Sequence, residues 1–452
     1  MTGQPVLATI VLAAVMYLVV AYAVGGPVIF VREVSAAFGR RRRRYRGHPD
    51  DVLATSRFTI PVSILLPVAE HEAAAEAAAN LLALNYPEFE VIVVTDGSPA
   101  VLADLRDRFR LSACEVFFRR SLDTGPVTNM YRSLADPRLL VIDCRPASRG
   151  DALNYGLNLA RYRYICCADP GARYTRDALL ESMQPATEDP AVVMGVTTQV
   201  GATEEGGGDP DGLAPLLHRL GVLRGLLGRA GGRRLSLSAD GLPGFTLWRR
   251  DVAIEVGGFA ADVATEHADM TLRVHRHMLR ERRPYRIIHV SGSVGSSVVP
   301  PSMYALAAAE SERQRSMLRI LWRARGMLLN PAYGRVGLFD LPRYVLSTVV
   351  VPWLELACLL LLPFAAVVGA LTAGQLAVVV VGIALGNGVM LNTAMTAAAA
   401  PRREDTLVAP VLLGPLEVFL SRPAQLYSRL VALVSALASE RSGHGRHVSG
   451  GS

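Results

Sequence analysis

Cysteine is sparse in this 452-residue chain, and its spacing carries no chemistry. Cys114, Cys144, Cys166, Cys167 and Cys358 form no C-x-x-C pair and no other metal-ligand pattern. That excludes a disulfide framework and a zinc site, and it fits a domain facing a reducing cytosol. Charge is also scarce, with 19% charged residues against 51% hydrophobic ones and a mean hydropathy of +0.28. Such a chain is too apolar for an ordinary soluble enzyme, so part of it is expected in lipid. The net charge of +7 does not point to nucleic acid, because the excess sits in one run, Arg40 to Arg44 plus Arg46, directly after an apolar segment. A basic block in that place is the flank of a membrane span.

Val6 to Val31 contains no charged residue and exceeds the roughly 20 residues needed to cross a hydrocarbon core. It is too long for a cleaved signal peptide and lacks a basic start. The expected organisation is a transmembrane helix over 1–32 and a basic cytoplasmic linker over 33–57. An α/β domain over 58–299 and amphipathic interface helices over 300–340 follow, then a C-terminal membrane region over 341–438 and a disordered tail over 439–452. Within the C-terminal region, Tyr344 to Leu371 and Leu376 to Ala400 are apolar runs, and Glu355 inside the first is expected at a helix interface or polar cavity. Thr406 to Leu420, with Pro410, Pro415 and Glu417, fits a span, a re-entrant segment or a surface segment. Arginines placed after the first span put the central domain in the cytoplasm of a multi-pass cell-membrane protein.

The central stretch alternates strand and helix patterns. Val62 to Leu66 is an apolar run ending at Pro67, Ala73 to Leu84 is alanine-rich, and Val91 to Val94 is a β-branched run ending in Thr95-Asp96-Gly97-Ser98. That order is βαβ and implies a parallel sheet. Ligands of such sheets gather at the carboxyl ends of the strands, here Pro67 to Glu72 and Thr95 to Ser98.

Four segments resemble the membrane-bound family 2 glycosyltransferases, which include cellulose, hyaluronan and poly-N-acetylglucosamine synthases. VSILLPVAEHE (Val62 to Glu72) is similar to the family's first strand and nucleotide loop, and YPEFEVIVVTDGS (Tyr86 to Ser98) to its second strand. RPASRGDALNYGLNLA (Arg145 to Ala160) is similar to the segment with a basic residue before the helix, and GLPGFTLWRRDVAIEVGGF (Gly241 to Phe259) to the acceptor-side segment. The resemblance covers nearly the whole chain. It implies a GT-A domain, a Rossmann-like mixed α/β sheet flanked by transmembrane helices. It also implies transfer of a sugar from a nucleotide-diphosphate donor to a lipid-linked or polysaccharide acceptor, with inversion. By the same match Pro67, Glu70, Asp96 and Ser98 would contact the nucleotide and Arg149 the diphosphate, with Asn154 on the helix behind.

The leaving diphosphate of such a transfer must be neutralised by a metal or by cationic side chains, and a general base must sit by the acceptor hydroxyl. The family's motifs for both jobs are recognisable and altered. Asp169-Pro170-Gly171 keeps the first aspartate of Asp-x-Asp and replaces the second by glycine. One carboxylate rarely holds magnesium or manganese alone, so a divalent metal on Asp169 would rely on waters and diphosphate oxygens. Arg173 with Arg149 is the alternative source of positive charge, and a solvated loop charge is the plainer reading of Arg173. Thr265-Glu266-His267 has histidine where the family has aspartate. His267 is the expected base, with Asp269 or Glu266 orienting it or replacing it; the plainer reading makes both carboxylates helix N-terminal charges. His275 and His277 read as a surface helix feature.

The third altered motif is Q-x-x-R-W, the acceptor-end signature. Gln314 and Arg315 keep its start, while Arg319 and Trp322 come four residues late. The arginines of this segment, Arg313 to Arg325, read as contacts to anionic membrane lipids. The broken motif implies transfer of one or a few sugars rather than long-polymer synthesis. The competing expectation is a catalytically silent relative that binds a nucleotide sugar or a partner synthase as a membrane scaffold. A transporter has no support, since nothing suggests inverted repeats.

Overall fold

The computed structural model describes residues 59–69, 73–202, 245–297 and 302–367, with 369, 372, 374, 375, 377 and 427. The expected N-terminal span, the basic linker, Glu70, the run from Leu376 to Ala400 apart from Ala377, the segment from Thr406 to Leu420 and the tail lie outside them.

The chain opens with β1 (Val62–Val68), α1 (Ala74–Leu82), β2 (Phe89–Thr95), α2 (Pro99–Phe109) and β3 (Leu111–Ala113). It continues through β4 (Val127–Ser133), β5 (Leu139–Cys144), α3 (Arg149–Leu159), β6 (Tyr164–Cys167), β7 (Ala172–Tyr174), α4 (Ala178–Glu188) and β8 (Val193–Ala202). After residue 244 come β9 (Thr246–Arg249), α5 (Arg250–Glu255), α6 (Glu266–Arg280), β10 (Arg286–Ser297) and α7 (Met303–Arg323). The described strands form one mixed sheet in the order β3-β4-β5-β2-β1-β6-β9-β8-β10-β7. Its centre is parallel, as the βαβ reading requires: β1 lies between β2 and β6, and β2 pairs with β5.

The central strands are near-continuous apolar runs because both faces are covered. Side chains alternate between faces. Ile64, Leu66, Val91 and Val93 pack on α1, α2 and α4. Leu65, Ile92 and Val94 pack on α3, α5 and α6. Pro67 is tolerated within buried β1 because pairing with β6 ends at Leu65, so no strand on that side needs its missing N–H.

Helix α7 does not lay its apolar face on a membrane. Met317, Ile320 and Leu321 are buried against Ala268 and Leu272 of α6 in a third cluster. Its arginines are largely spoken for within the protein. Arg313 pairs with Glu310, Arg315 lies 3.9 Å from Glu312, Arg319 donates to the Asp262 carbonyl at 2.6 Å, Arg323 pairs with the Asp262 carboxylate, and Arg325 stacks over the Trp322 ring. Each of these arginines therefore has a partner within the protein.

The run expected to span from Tyr344 is helical but broken into α8 (Leu341–Val345), a π-turn (Leu346–Val350) and α9 (Val351–Val367). Among the described residues no helix is long and apolar enough to cross a membrane.

Candidate active site

The chain contains no lysine, so all 47 basic residues are arginine. Any cation in a site is therefore a planar fork that stays charged.

Helix α3 begins with Ser148-Arg149-Gly150-Asp151, a local sequence that specifies its own start. The Ser148 hydroxyl caps the helix by accepting from Asp151 N at 3.2 Å, and the Asp151 carboxylate reaches back to accept from Ala147 N, just before the cap, at 2.9 Å. This fixes Arg149 in the first turn, beside the carboxyl end of β6. There its Nη2 donates to the Ala168 carbonyl at 3.0 Å and lies 3.4 Å from Asp169 Oδ2, and its Nε donates to Glu266 Oε1 at 2.9 Å. Asp169 Oδ1 accepts from Gly171 N at 3.0 Å, and Asp169 N donates to the buried Tyr174 hydroxyl at 2.7 Å. Burial works against the charge of Arg149, yet the Asp169 and Glu266 carboxylates outweigh it and hold its pKa above the ordinary range.

Glu266 opens α6, and its side chain is only 4% exposed. His267 follows, with Nε2 3.5 Å from Glu266 Oε1 and Nδ1 2.9 Å from Thr246 Oγ1 on β9. Phe259 meets the ring edge-on. Burial first, and then the Arg149 charge, hold the His267 pKa below its ordinary 6.5, against the opposing pull of Glu266 and Asp169. The imidazole is therefore neutral at pH 7.

The turn that delivers α6 to this place is clamped by Asn154. Its side chain donates to the Phe259 carbonyl at 2.8 Å and accepts from Phe259 N at 2.7 Å. Gly258 stands against it with φ of +73°, and a Cβ there would come within 2.4 Å of Asn154 Oδ1. Gly150 is equally constrained, since its Cβ would lie 2.2 Å from the Ala260 carbonyl oxygen. Helices α3 and α6 thus meet with their first turns together.

The structure brings Arg149, Asp169, Glu266 and His267 into one cluster. Asp96 and Ser98 lie at the end of β2: Asp96 Oδ1 accepts from Ser98 N at 3.2 Å, and the buried Ser98 hydroxyl has no hydrogen-bond partner among the described residues. Pro67 is buried in β1. Asp269 is held by Arg273 on its own helix, at 2.7 Å from Nε, so Glu266 is the carboxylate beside His267. Arg173 pairs with exposed Glu76, the plainer of its two readings. Gln314 is buried in α7, and Arg315 lies half-exposed beside it. His275 is not a surface residue: it is buried, with Nδ1 2.7 Å from the Tyr285 hydroxyl, while His277 pairs with Glu255 at 3.1 Å.

Two contributors were missed in the sequence. Asp143, next to last in β5, is in register with Thr95, and an apolar run closing on an aspartate, LLVID, was the available signal. With Asp151 and Asp96 it adds to burial in pushing the Cys144 thiol up to about 12. Thr246 had no local signal, because only the antiparallel pairing of β9 with β6 places it.

Asp169 does not fit a metal centre well. Among the described residues no three His, Cys, Asp or Glu side chains group as metal ligands. The space between Asp169 and Glu266 already holds a guanidinium.

No protein-family model matches the chain, and no curated protein sequence does. Solved structures do. The mannosyltransferase PcManGT from Pyrobaculum calidifontis, in complex with GDP-Man and Mn2+, is 16% identical over 94% of this chain and 99% of that one, with a TM-score of 0.52. S. aureus TarS 1-349 with UDP-GlcNAc is 12% identical over 85% and 92%, with a TM-score of 0.37. Glucosyl-3-phosphoglycerate synthase from Mycobacterium tuberculosis with phosphoglyceric acid is 15% identical over 59% and 80%, with a TM-score of 0.36. At such identities the likeness is one of fold, and the mannosyltransferase carries it. The chain has a GT-A-like mixed α/β fold.

Proposed function

We propose that the protein is a membrane-associated glycosyltransferase that moves a sugar from a nucleotide-diphosphate donor to a lipid-linked or membrane-proximal acceptor. The observation that carries this reading is the cluster of Arg149, Asp169, Glu266 and His267 at the carboxyl ends of the parallel strands, where ligands of such sheets bind. Donor chemistry of this kind is met by the similarly folded mannosyltransferase, solved with GDP-Man.

Each residue has a role that follows from its contacts. The Arg149 fork and the first turns of α3 and α6 present positive charge to a diphosphate leaving group. His267, neutral at pH 7, donates from Nδ1 to Thr246 and takes the acceptor hydroxyl proton on Nε2. The resulting imidazolium lies 3.5 Å from Glu266 Oε1, which stabilises it. A single in-line attack of this kind inverts the anomeric centre. Asp96 and Ser98 at the end of β2 suit the base and ribose. With a guanidinium between the two carboxylates, transfer is expected to persist in a chelator.

Membrane association is supported by the helical run after residue 337. Phe339, Leu346, Trp353, Leu360, Phe364 and Val367 are all exposed there, and apolar surface so concentrated marks a partner or a bilayer. Placement in the cell membrane, with the α/β domain on the cytoplasmic side, extends the sequence reading to this surface.

The test is turnover of a panel of nucleotide sugars by the detergent-purified protein, with manganese, magnesium or EDTA, beside Asp169→Ala and His267→Ala. Donor consumption that His267→Ala abolishes while nucleotide binding survives supports the transferase. A donor that binds and is never consumed under any condition refutes it in favour of the scaffold.

A further inference from the structure

Behind α6, away from His267, lies a second concave site. Asp269 and His267 are two residues apart, about 200° around the helix axis, so their side chains leave α6 on opposite faces. Asp269, Arg273 and Arg276 face the carboxyl end of α7, and together with Arg323 they wall a cavity of about 500 Å3. That volume is in the range of small-molecule sites. Its floor is apolar, made by buried Leu272, Ile320 and Met327.

The polar wall has donors to spare. Arg273 donates from Nε to Asp269 Oδ2 at 2.7 Å and from Nη1 to the Val256 carbonyl at 2.7 Å. Its Nη2 is 2.6 Å from the same Asp269 oxygen, but it is buried and makes no hydrogen bond. One carboxylate oxygen is shared by two N–H groups, and the second is misaligned. Arg276, one turn further along, is exposed and forms no ion pair among the described residues. Arg323 reaches the cavity from α7 while paired with Asp262. The lining thus carries three guanidinium groups against one carboxylate.

A buried donor whose one neighbouring acceptor is misaligned and already shared favours a further anion. Guanidinium groups converging from several positions suit a tetrahedral anion, whose three free oxygens can each accept from a different fork. A carboxylate is satisfied by one. We propose that this cavity binds a phosphate monoester carried on an apolar body, with the phosphate on Arg273 and Arg276 and the body on Leu272, Ile320 and Met327. The site is distinct from the Arg149 cluster and does not depend on the transferase reading.

Titration calorimetry on the full chain in detergent tests this with hexyl phosphate, hexanol and inorganic phosphate as probes. Hexyl phosphate is expected to bind at least about tenfold more tightly than either of the others, because only it uses both halves of the site. Arg276→Gln should weaken hexyl phosphate about tenfold and leave the melting temperature unchanged, since the residue is exposed. Ala324→Met, which fills the cavity from α7, should abolish binding while nucleotide binding persists. Competition by phosphatidic acid vesicles would identify a lipid headgroup as the source of the monoester, and failure to compete would identify a soluble one. Equal affinity for hexyl phosphate and hexanol, or hexyl phosphate binding untouched by Arg276→Gln, overturns the proposal.

Discussion

Replacing Arg149 by methionine keeps much of the side-chain volume and removes the cation that joins α3, β6 and α6. Glu266, 4% exposed and bonded at 2.9 Å, is then a buried carboxylate without its partner. A charge pair at about 4 Å is worth about 4 kcal/mol at an effective dielectric of 20, and breaking a buried pair costs roughly 3–5 kcal/mol. The Arg149 side chain is 32% exposed, so solvent screening places the expected loss near the lower end, about 3 kcal/mol. For a domain of this size that lowers the melting temperature by roughly 6–12 °C, measurable by scanning fluorimetry of the detergent-purified chain. The decisive comparison is with Glu266→Gln and the double variant. If the pair is as described, the double variant loses less than the sum of the singles by about 1–3 kcal/mol. The His267 pKa should also rise in Arg149→Met, because the arginine charge is one of the causes holding it down. A melting shift below about 2 °C together with strict additivity would refute the ion-pair account.

Other consequences are as specific. Since the folded state holds His267 below 6.5, the unfolded chain binds more protons just under that pH. The stabilisation is fully present above pH 6.5 and is lost as pH falls through the folded value; His267→Gln should flatten that part of the melting-temperature profile, and nucleotide-sugar turnover should show an acid limb below 6.5. Asn154→Ala removes two hydrogen bonds from the buried Phe259 turn. It should cost about 2–4 kcal/mol in urea unfolding and should lower turnover more than nucleotide binding, as α6 loses its placement. Gly258→Ala meets both a positive φ and the Asn154 side chain, so a loss of at least about 1 kcal/mol is expected. A Gly258→Ala protein as stable as the parent would show that the turn adjusts freely. In liposome flotation the full chain should rise with lipid, and Phe339→Asp with Phe364→Asp should weaken that recovery.

The strands and helices that build the domain were legible because each is locally encoded. Apolar runs such as Val62–Val68 and Phe89–Thr95 read as buried parallel strands, and the Ser148-x-x-Asp151 cap marks where α3 starts. Asp169 and the Glu266-His267 step, which the structure brings together, could be singled out because each sits at the junction of a patterned element with a loop. The sequence could also say that Asp-x-Asp lacks its second carboxylate, which put the source of positive charge in question.

The geometry that bears on that question is tertiary. Arg149 and Glu266 are 117 positions apart, and their meeting depends on the Asn154 clamp and on two glycines whose value lies in what a side chain there would strike. Arg173 and Asp269 looked equivalent to Arg149 and Glu266 as charges in sequence. They were separated from the site by the directions in which β7 and α6 point them, toward Glu76 and Arg273. Helix α7 shows the same division. Its amphipathic pattern was plain, but a period of apolar residues states only that one face is buried, and whether protein or lipid covers it is decided by the elements that fold against it. Local pattern determines elements and their termini; charge pairing and the partner of an apolar face are properties of distances that only the packed chain defines.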